Sequence, residues 1–470
     1  MLFDSPAFIV FLTVVALLYW RLNQRQQNVF LLAASYFFYG WWDWRFLLLM
    51  AGSTFLDYLI ARKLAVLSNP AHRRALLLLS LVINFSFLGF FKYFNFFVQS
   101  FSAMLSSFGV QNVPTTLLRI LLPPGISFYT FQEVAYIVDV YKGKLKPADS
   151  LIDYALFISL FPHLIAGPIQ RPGHLLPQVQ QERTLDWDKF FDGLMLVLFG
   201  LFQKCVIADN CALIANAAFT GNFGATTAPV VLLGTYAFAW QIYGDFAGYS
   251  NIARGAAQLL GFHFMVNFRQ PYLATTLQDF WRRWHISLST WLRDYLYIPL
   301  GGSRKSTWKT YSNLLTTMLI GGLWHGANWT FVIWGGIHGG GLALERLLGV
   351  GRSEEKRSSA LTTWAKRILL FNLVCLAWVF FRAASIHEAF AFLRGLGNWQ
   401  WQPEYLTALK FLALFSIPMF LMDLRLEKNN EEYIFQHSPA WIRTGLGFSA
   451  LVAIAFFAAN QANTFIYFQF

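Results

Sequence analysis

Residues 321–336 read GGLWHGANWTFVIWGG and place one histidine, His325, inside an uncharged apolar run. Between Leu314 and Leu344 there is no Asp, Glu, Lys or Arg, and His325 and His338 are the two ionisable side chains. A bilayer interior penalises polar groups by a few kcal/mol each, so an imidazole in such a run indicates chemistry. The alternative is a packing histidine that is hydrogen-bonded to a neighbouring carbonyl.

The composition extends this membrane character to the whole chain. Of 470 residues, 56% are hydrophobic and 13% are charged, against roughly 25% charged in a soluble domain. A spanning helix needs about 20 apolar residues, so there is room for roughly ten to twelve passes. Backbone polar groups in lipid must be satisfied within each segment, which favours helices. The sequence therefore predicts an all-α, polytopic integral membrane protein with roughly 10–12 transmembrane helices.

The basic residues predict the orientation of these helices. Clusters such as Arg21 with Arg25, and Arg62 with Lys63, fall at alternate loops. Loops rich in Lys and Arg face the cytoplasm, so the N-terminus is expected outside. The net charge of +12 is then explained by topology and by contact with anionic membrane lipid. We expect no nucleic-acid partner.

The cysteines and histidines do not indicate a metal centre. The three cysteines, Cys205, Cys211 and Cys375, lie in or beside apolar runs and are odd in number, so they predict no disulfide framework. Two histidines without an obvious third ligand make a poor zinc site. We therefore expect no metal and no permanently bound cofactor.

Proline and glycine interrupt the middle third of the chain. They break PPGISFYTFQ (123–132) and FPHLIAGPIQRPG (161–173), and such residues end helices. Broken backbone at membrane depth is tolerated where it is buried in protein or lines a cavity, so re-entrant or horizontal helices are predicted. A surface loop is the alternative for residues 161–173.

A charged, tryptophan-rich stretch follows at 279–294, DFWRRWHISLSTWLRD. On one continuous helix, two stripes would form. The apolar stripe holds Trp284, Leu288, Trp291 and Tyr295, and the polar stripe holds Arg282, His285, Ser289 and Arg293. One interpretation is a helix that borders a polar cavity, with His285 turned inward. The other is an amphipathic helix at the membrane surface.

Together these segments resemble the membrane-bound O-acyltransferase family, and most closely its bacterial branch of alginate O-acetyltransferase membrane subunits. The resemblance also includes DFAGYS (245–250), NFRQPY (267–272) and GGLWHGANWT (321–330). It extends from the first helix to about residue 346, and beyond that only the hydropathy is similar. We expect one membrane domain with N-terminal helices at 1–150, a catalytic core at 151–346 and C-terminal helices at 347–470.

The resemblance implies a central tunnel in which a cytoplasmic funnel for the acyl donor meets an extracytoplasmic funnel. It implies that His325 is the reactive histidine and that His285, forty residues upstream, is the second polar residue of the site. His325 is expected to act as a general base on an acceptor hydroxyl or to carry the acetyl group. His285 is expected to orient the site or exchange protons with it, with structural hydrogen bonding as the alternative.

Other residues are weaker candidates for substrate binding. Arg304, Lys305 and Lys309 could attract CoA phosphates, or could form a solvated loop on the positive side. Tunnel lining is assigned to Trp324, Asn328, Trp284 and Asp245. A structural ion pair is the preferred interpretation for Asp245, because a carboxylate among apolar residues needs a partner.

The expected function is transfer of acetyl from cytoplasmic acetyl-CoA across a bacterial inner membrane, for O-acetylation of an exported, alginate-like polysaccharide. The expected partners are a separate periplasmic acetyltransferase of the SGNH type and a polysaccharide biosynthesis complex, because no hydrolase-like domain is fused to the chain. O-acetylation of cellulose or peptidoglycan, or acylation of a lipid, is an alternative within enzymes. A non-catalytic acyl conduit and a scaffold for polymer synthases are alternatives of other classes.

Overall fold

The chain folds into helices joined by short irregular segments. A computed structural model describes residues 1–110, 117–165, 167–350, 359–459 and 465–466. It is 75% helical, and no strand occurs among those residues, so the predicted all-α class is confirmed. The contacts divide the chain into two compact units, one of residues 1–191 and 256–265 and the other of residues 192–255 and 266–470.

Six helices in the described part of the chain are long and apolar enough to cross a membrane. They comprise Trp44–Val66, Pro70–Ser107, Trp187–Phe219, Ala360–Arg382, Pro403–Asn429 and Ala440–Phe457. Two of them contain a π-helical stretch, at Gly89–Tyr93 and Phe202–Ala208. The protein is therefore a multi-pass membrane protein, whereas the full number of roughly ten to twelve spans stays a prediction.

The first unit begins with a series of capped helices. Asn23 and Gln26 form a capping box, and Ser5, Asp43, Asn69 and Ser150 each accept a backbone N–H at a helix start, which satisfies donors that the helix leaves open. The helices are α1 (Pro6–Tyr19), α2 (Gln24–Gly40), α3 (Trp44–Val66), α4 (Pro70–Leu88), α5 (Phe94–Ser107), α6 (Ile126–Tyr141), α7 (Leu151–Ser159), α8 (Phe161–Leu164) and α9 (Pro172–Gln180). Helices α8 and α9 begin within the segment 161–173, where breaks are predicted, and both are too short to span a membrane.

The second unit holds the motifs singled out in the sequence. Its helices are α10 (Trp187–Leu201), α11 (Asp209–Phe219), α12 (Ala228–Leu259), α13 (Leu277–Arg283), α14 (Ile286–Leu292), α15 (Thr307–His325), α16 (Trp329–Leu347), α17 (Ala360–Arg382), α18 (Ile386–Arg394), α19 (Pro403–Asn429) and α20 (Ala440–Phe457). Helices α10 and α12 each contribute residues to both units. A π-helical turn at Arg293–Tyr297 follows α14.

Helices α15 and α16 form a closely packed hairpin that carries His325 at its turn. A Cβ atom on Gly322 would meet the carbonyl oxygen of Phe331, and one on Gly335 would meet that of Met318. The backbones therefore approach each other at glycine, as is common where small residues line a helix interface in a membrane. This contact fixes the end of α15 against the start of α16.

The hairpin contact predicts a stability difference between two glycine substitutions on the same helix. Gly335→Ala should lower the melting temperature of the detergent-solubilised protein, because overpacking costs about 1–3 kcal/mol. Gly340→Ala is the matched control, because nothing lies within 4 Å of its added methyl group. Equal melting temperatures for the two variants would contradict the close approach.

Candidate active site

The chain breaks its helix at His285 instead of continuing it. Helix α13 ends at Arg283, α14 begins at Ile286, and His285 adopts left-handed backbone angles of φ 43° and ψ 54°. The prediction of one continuous helix over 279–294 is therefore wrong, and its two stripes do not form. Left-handed geometry is uncommon for a residue other than glycine, and it occurs at sites that constrain a side chain.

Asn267 anchors this break through both its backbone and its side chain. Its carbonyl oxygen accepts the N–H of Ile286 at 2.9 Å. Its Oδ1 lies 3.1 Å from His285 Nδ1 and also accepts the hydroxyl of Ser287 at 2.9 Å and the N–H of Ser287 at 3.3 Å. Its Nδ2 donates to Ser250 Oγ on α12 at 3.1 Å. Asn267 thus provides hydrogen-bond partners, through its backbone carbonyl and its side-chain amide, for groups at the break in the helix.

His325 lies beside His285 in an aromatic enclosure. The two imidazole centroids are 6.2 Å apart, and both side chains are buried. Around His325, ring centroids lie 5.0–5.3 Å away in Trp324, Trp334 and Phe381. On the other side, Phe246 meets the His285 ring edge-on at 4.6 Å. The structure thus brings the two predicted histidines together at the point where α14, α15 and α16 meet.

A cavity of about 620 Å³ opens between α13, α14, α15 and α16, and its lining includes Ile286, the residue after His285. Its lining also includes Arg282, Arg293, Arg346 and Glu345. Glu345 accepts the N–H groups of Leu277 and Gln278 at the start of α13. A hydrogen bond to Asp294 raises the pKa of Arg293, so that group stays charged. Arg282 and Arg346 form no ion pair within the described part of the chain.

The cavity stops short of His325. Along α15 its lining reaches Thr317 and Met318, and His325 lies about 10 Å beyond Met318 along the helix, at 1.5 Å per residue. The Trp281 ring lines the cavity and lies 5.7 Å from the Trp334 ring, which in turn lies 5.1 Å from His325. Two indole rings therefore stand between the cavity and the histidine.

Asp245 forms the ion pair preferred for it, with a lysine as its partner. Lys204 Nζ lies 2.9 Å from Asp245 Oδ1 and 2.7 Å from Asp209 Oδ1, and all three side chains are buried. Asp245 Oδ2 also accepts the N–H of Ile466 at 2.7 Å. The next residue, Phe246, contacts His285. The cluster thus supports one wall of the site without lining its cavity.

The other predicted binding residues do not line the cavity. Arg304, Lys305 and Lys309 are exposed on the turn before α15 and at its start, where the neighbouring Ser303 reaches the lining. Trp284 is buried and stacks on Phe280 at 5.6 Å. Asn328 caps α16 by accepting the N–H of Thr330. Among these candidates, Trp324 contacts both histidines, with ring centroids 5.0 Å from His325 and 5.9 Å from His285.

The sequence of the chain matches the model of a known protein family. The sequence model of the membrane-bound O-acyltransferase family, MBOAT, matches residues 147–387, which is just over half of the chain. This span contains both histidines, Asn267 and the arginine-lined cavity.

The chain belongs to the membrane-bound O-acyltransferase family.

Relatives within and around this family differ in the acceptor that their names give. The chain is 41% identical to the probable alginate O-acetylase AlgI of Pseudomonas putida, with 100% of both chains covered. It is 34% identical to the peptidoglycan O-acetyltransferase of Helicobacter pylori, with 100% of this chain and 98% of that protein covered. It is 29% identical to the teichoic acid D-alanyltransferase of Bacillus subtilis, with 56% of this chain and 69% of that protein covered. All three names describe acyl transfer, and this MBOAT protein is an acyltransferase.

Sequence reasoning did not assign a role to several residues that build the site. Asn267 lies in the quoted segment NFRQPY, but nothing in its spacing connects it with His285 eighteen residues later. Arg282 lies on the polar stripe of the predicted helix, and nothing in the sequence distinguishes Arg346 from other basic residues at helix ends. Their only signal was their position near the ends of segments that carry family motifs.

The Lys204 cluster predicts an order of stabilities. Lys204→Ala should destabilise this MBOAT protein by about 3–5 kcal/mol, because it removes the ammonium group that both buried carboxylates contact. Asp245→Asn should cost less, because it leaves Lys204 paired with Asp209. Thermal unfolding in detergent measures both variants. A larger loss for Asp245→Asn than for Lys204→Ala would contradict the cluster as described.

Proposed function

We propose that this chain takes acetyl from acetyl-CoA at the cytoplasmic face of a bacterial inner membrane and passes it outward for O-acetylation of an exported polysaccharide. The observation that carries the proposal is the buried pair of His285 and His325 next to an arginine-lined cavity. Histidine is a residue type that can accept a proton near neutral pH. Two such imidazoles can take part in acyl transfer, which is the chemistry of this family.

The cavity supports a CoA thioester as the donor. CoA carries several phosphate groups, and guanidinium groups bind phosphate through paired N–H donors. Arg282 and Arg346 face the cavity without an acidic partner among the described residues, so they are available for such contacts. The positive-inside rule supports a cytoplasmic position for this end of the α15–α16 hairpin, which also carries Arg304, Lys305 and Lys309.

The path from this cavity to His325 runs along α15. The phosphates would stay between the arginines while the thioester arm extends past Thr317 and Met318. Trp281 and Trp334 stand in the way, so their side chains must move aside when the acetyl group enters. The rings then pack around the arm and exclude water from the thioester, which protects it from hydrolysis.

The transfer itself needs a proton acceptor and no charged catalyst. An acceptor hydroxyl gives its proton to the imidazole while its oxygen bonds to the acetyl carbon. The carbon–sulfur bond breaks, and the CoA thiolate takes a proton as it leaves. Alternatively, the imidazole nitrogen attacks the thioester first and carries the acetyl group until the hydroxyl replaces it. His325 serves in either role.

Alginate is the acceptor that the comparisons favour. The full-length relative at 41% and the shorter matches at 43–46% identity are named as probable alginate O-acetylases, and the peptidoglycan O-acetyltransferase is more distant at 34%. Peptidoglycan is therefore the second candidate. A separate periplasmic acetyltransferase of the SGNH type, working with a polysaccharide biosynthesis complex, would complete transfer to the sugar.

Removal of the reactive imidazole tests the proposal. His325→Ala should reduce CoA release from acetyl-CoA by about 10²–10⁴-fold, because a positioned general base contributes that much. The protein is purified into nanodiscs, and free thiol is measured with an acceptor oligosaccharide present. His387→Ala is the control, because His387 is exposed on α18. An unchanged rate for His325→Ala would contradict catalysis at this residue and favour a scaffold.

The same variant, expressed in cells, separates the remaining alternatives. A passive conduit would still deliver acetyl groups outward with His325→Ala, whereas the enzyme would not. Mass spectrometry of the cell envelope identifies the polymer that loses its acetyl esters. Loss from alginate supports the proposed acceptor, and loss from peptidoglycan supports the second candidate.

The donor site has its own test. Arg282→Ala and Arg346→Ala should each raise the KM for acetyl-CoA about ten- to a hundredfold, because a hydrogen bond to a charged group contributes about 1.5–3 kcal/mol. Lys305→Ala removes an exposed charge from the nearby turn and should leave the KM within a few-fold of wild type. A KM that rises with Lys305→Ala alone would place the phosphates on the turn instead.

A further inference from the structure

We propose that Asn267 is a positioning residue that holds His285 as the tautomer with its proton on Nδ1, so that Nε2 is the atom that accepts a proton. This inference rests on the proposed function, because it assigns a direction of proton transfer within the same site. It concerns the residue that aims the second histidine, and it adds a step to the chemistry of His325.

The orientation of the Asn267 amide follows from its neighbours. Ser287 presents a backbone N–H at 3.3 Å to the atom assigned as Oδ1. A backbone N–H can only donate, so the atom it faces must be the oxygen and not the NH₂ group. The NH₂ group then donates to Ser250 Oγ at 3.1 Å on the opposite side. The backbone thus settles an orientation that side chains alone would leave open.

The orientation of the amide fixes the tautomer of the histidine. Nδ1 of His285 lies 3.1 Å from that oxygen. Two lone pairs at this distance repel each other, so Nδ1 must carry a proton and donate it. In the neutral ring the other nitrogen, Nε2, then holds the lone pair. The hydrogen bond that one ring nitrogen makes thus sets the role of the other.

This tautomer gives the two histidines different tasks. The hydroxyl proton that His325 takes up can pass to Nε2 of His285, directly or through one water, across rings 6.2 Å apart. His285 then becomes an imidazolium whose Nδ1–H remains bonded to Asn267. When the CoA thiolate leaves, the proton returns through His325 to sulfur. Bond formation to oxygen, loss of the carbon–sulfur bond and the proton count are balanced.

Among the described residues, few other charged groups lie near His285 and could affect its protonation. On α15 the facing titratable group is His325. On α12, Asp245 and Tyr249 flank the contacting residues, and Asp245 is paired with Lys204. On the segment after α12, Arg269 is exposed. On α13, Arg283 pairs with Asp279 and Glu427, while Arg293 and Asp294 in the π-helical turn after α14 pair with each other.

The pH dependence of activity tests the proposal. Asn267→Asp places a carboxylate against Nδ1–H, which stabilises the imidazolium, and Ser250 can turn its hydroxyl to donate to the second oxygen. The acidic limb of the kcat/KM profile should move to higher pH by about 1–3 units, because an adjacent opposite charge shifts titration that far. Asn267→Ala should lower kcat about ten- to a hundredfold with little change in the KM for acetyl-CoA.

Asn372→Asp is the matched control. It makes the same chemical change in the same unit, at a half-buried asparagine that bonds Tyr236 and does not contact His285. Its acidic limb should coincide with that of wild type. An unshifted limb in a folded Asn267→Asp variant overturns the proposal, as does an equal shift in Asn372→Asp.

A second measurement needs neither turnover nor a folded Asn267 variant. Wild-type protein labelled with ¹⁵N-histidine is studied in nanodiscs by solid-state NMR, and His285→Gln identifies the resonances of His285. The proposal expects a protonated Nδ1 and an unprotonated Nε2, and the reverse pattern overturns it. If wild type releases no CoA from acetyl-CoA, the proposed function fails, while the NMR result still decides the tautomer.

Discussion

The hydrogen bonds that Asn267 makes to the chain at His285, Ile286 and Ser287 are the interaction on which the site depends. A helix that ran unbroken from α13 into α14 would satisfy its own backbone and would point residue 285 wherever the helical period placed it. The break removes those internal bonds, and a buried backbone group without a partner is costly in a membrane. Asn267 supplies partners from a segment that follows α12, so the break is stable and the imidazole has a fixed direction.

The charges of the second unit are distributed in keeping with this arrangement. The rings that contact His325 in Trp324, Trp334 and Phe381 are aromatic and uncharged. The arginines lie around the cavity between α13 and α16, and the buried ions of the Lys204 cluster neutralise one another largely among themselves. The aromatic surroundings of His325 are neutral, and the charged groups lie further away. Such an arrangement suits a reaction in which protons are transferred and no permanent charge remains on the histidines.

Hydropathy and the positions of proline and glycine were sufficient to predict the class of fold and the short broken helices, because those depend on composition and local sequence. The pairing of His285 with His325 was implied by the family resemblance, and their roles stay a prediction. The break at His285 was not predictable from residues 279–294. Their periodicity is compatible with a continuous helix, and the bonds that interrupt it come from eighteen residues earlier. The candidates Arg304, Lys305 and Lys309 lie outside the cavity lining, whereas Arg282 and Arg346 belong to it. Spacing shows where basic residues occur, but the packing of α13, α15 and α16 decides which of them line the cavity.

The strain at this site also argues that its geometry serves the chemistry. Gln270 and His285 both have left-handed backbone angles, with φ of 44° and 43°, and each costs on the order of 1–2 kcal/mol in a residue with a side chain. The two residues lie at the ends of segments joined by Arg269 N–H to the Arg283 carbonyl and by Ile286 N–H to the Asn267 carbonyl, each at 2.9 Å. Glycine at either position would relieve the strain, but glycine at 285 would remove the imidazole. At position 285 the strained residue is kept although glycine would be less strained. This indicates that the direction of the imidazole, and not the stability of the turn, determines the residue at this position.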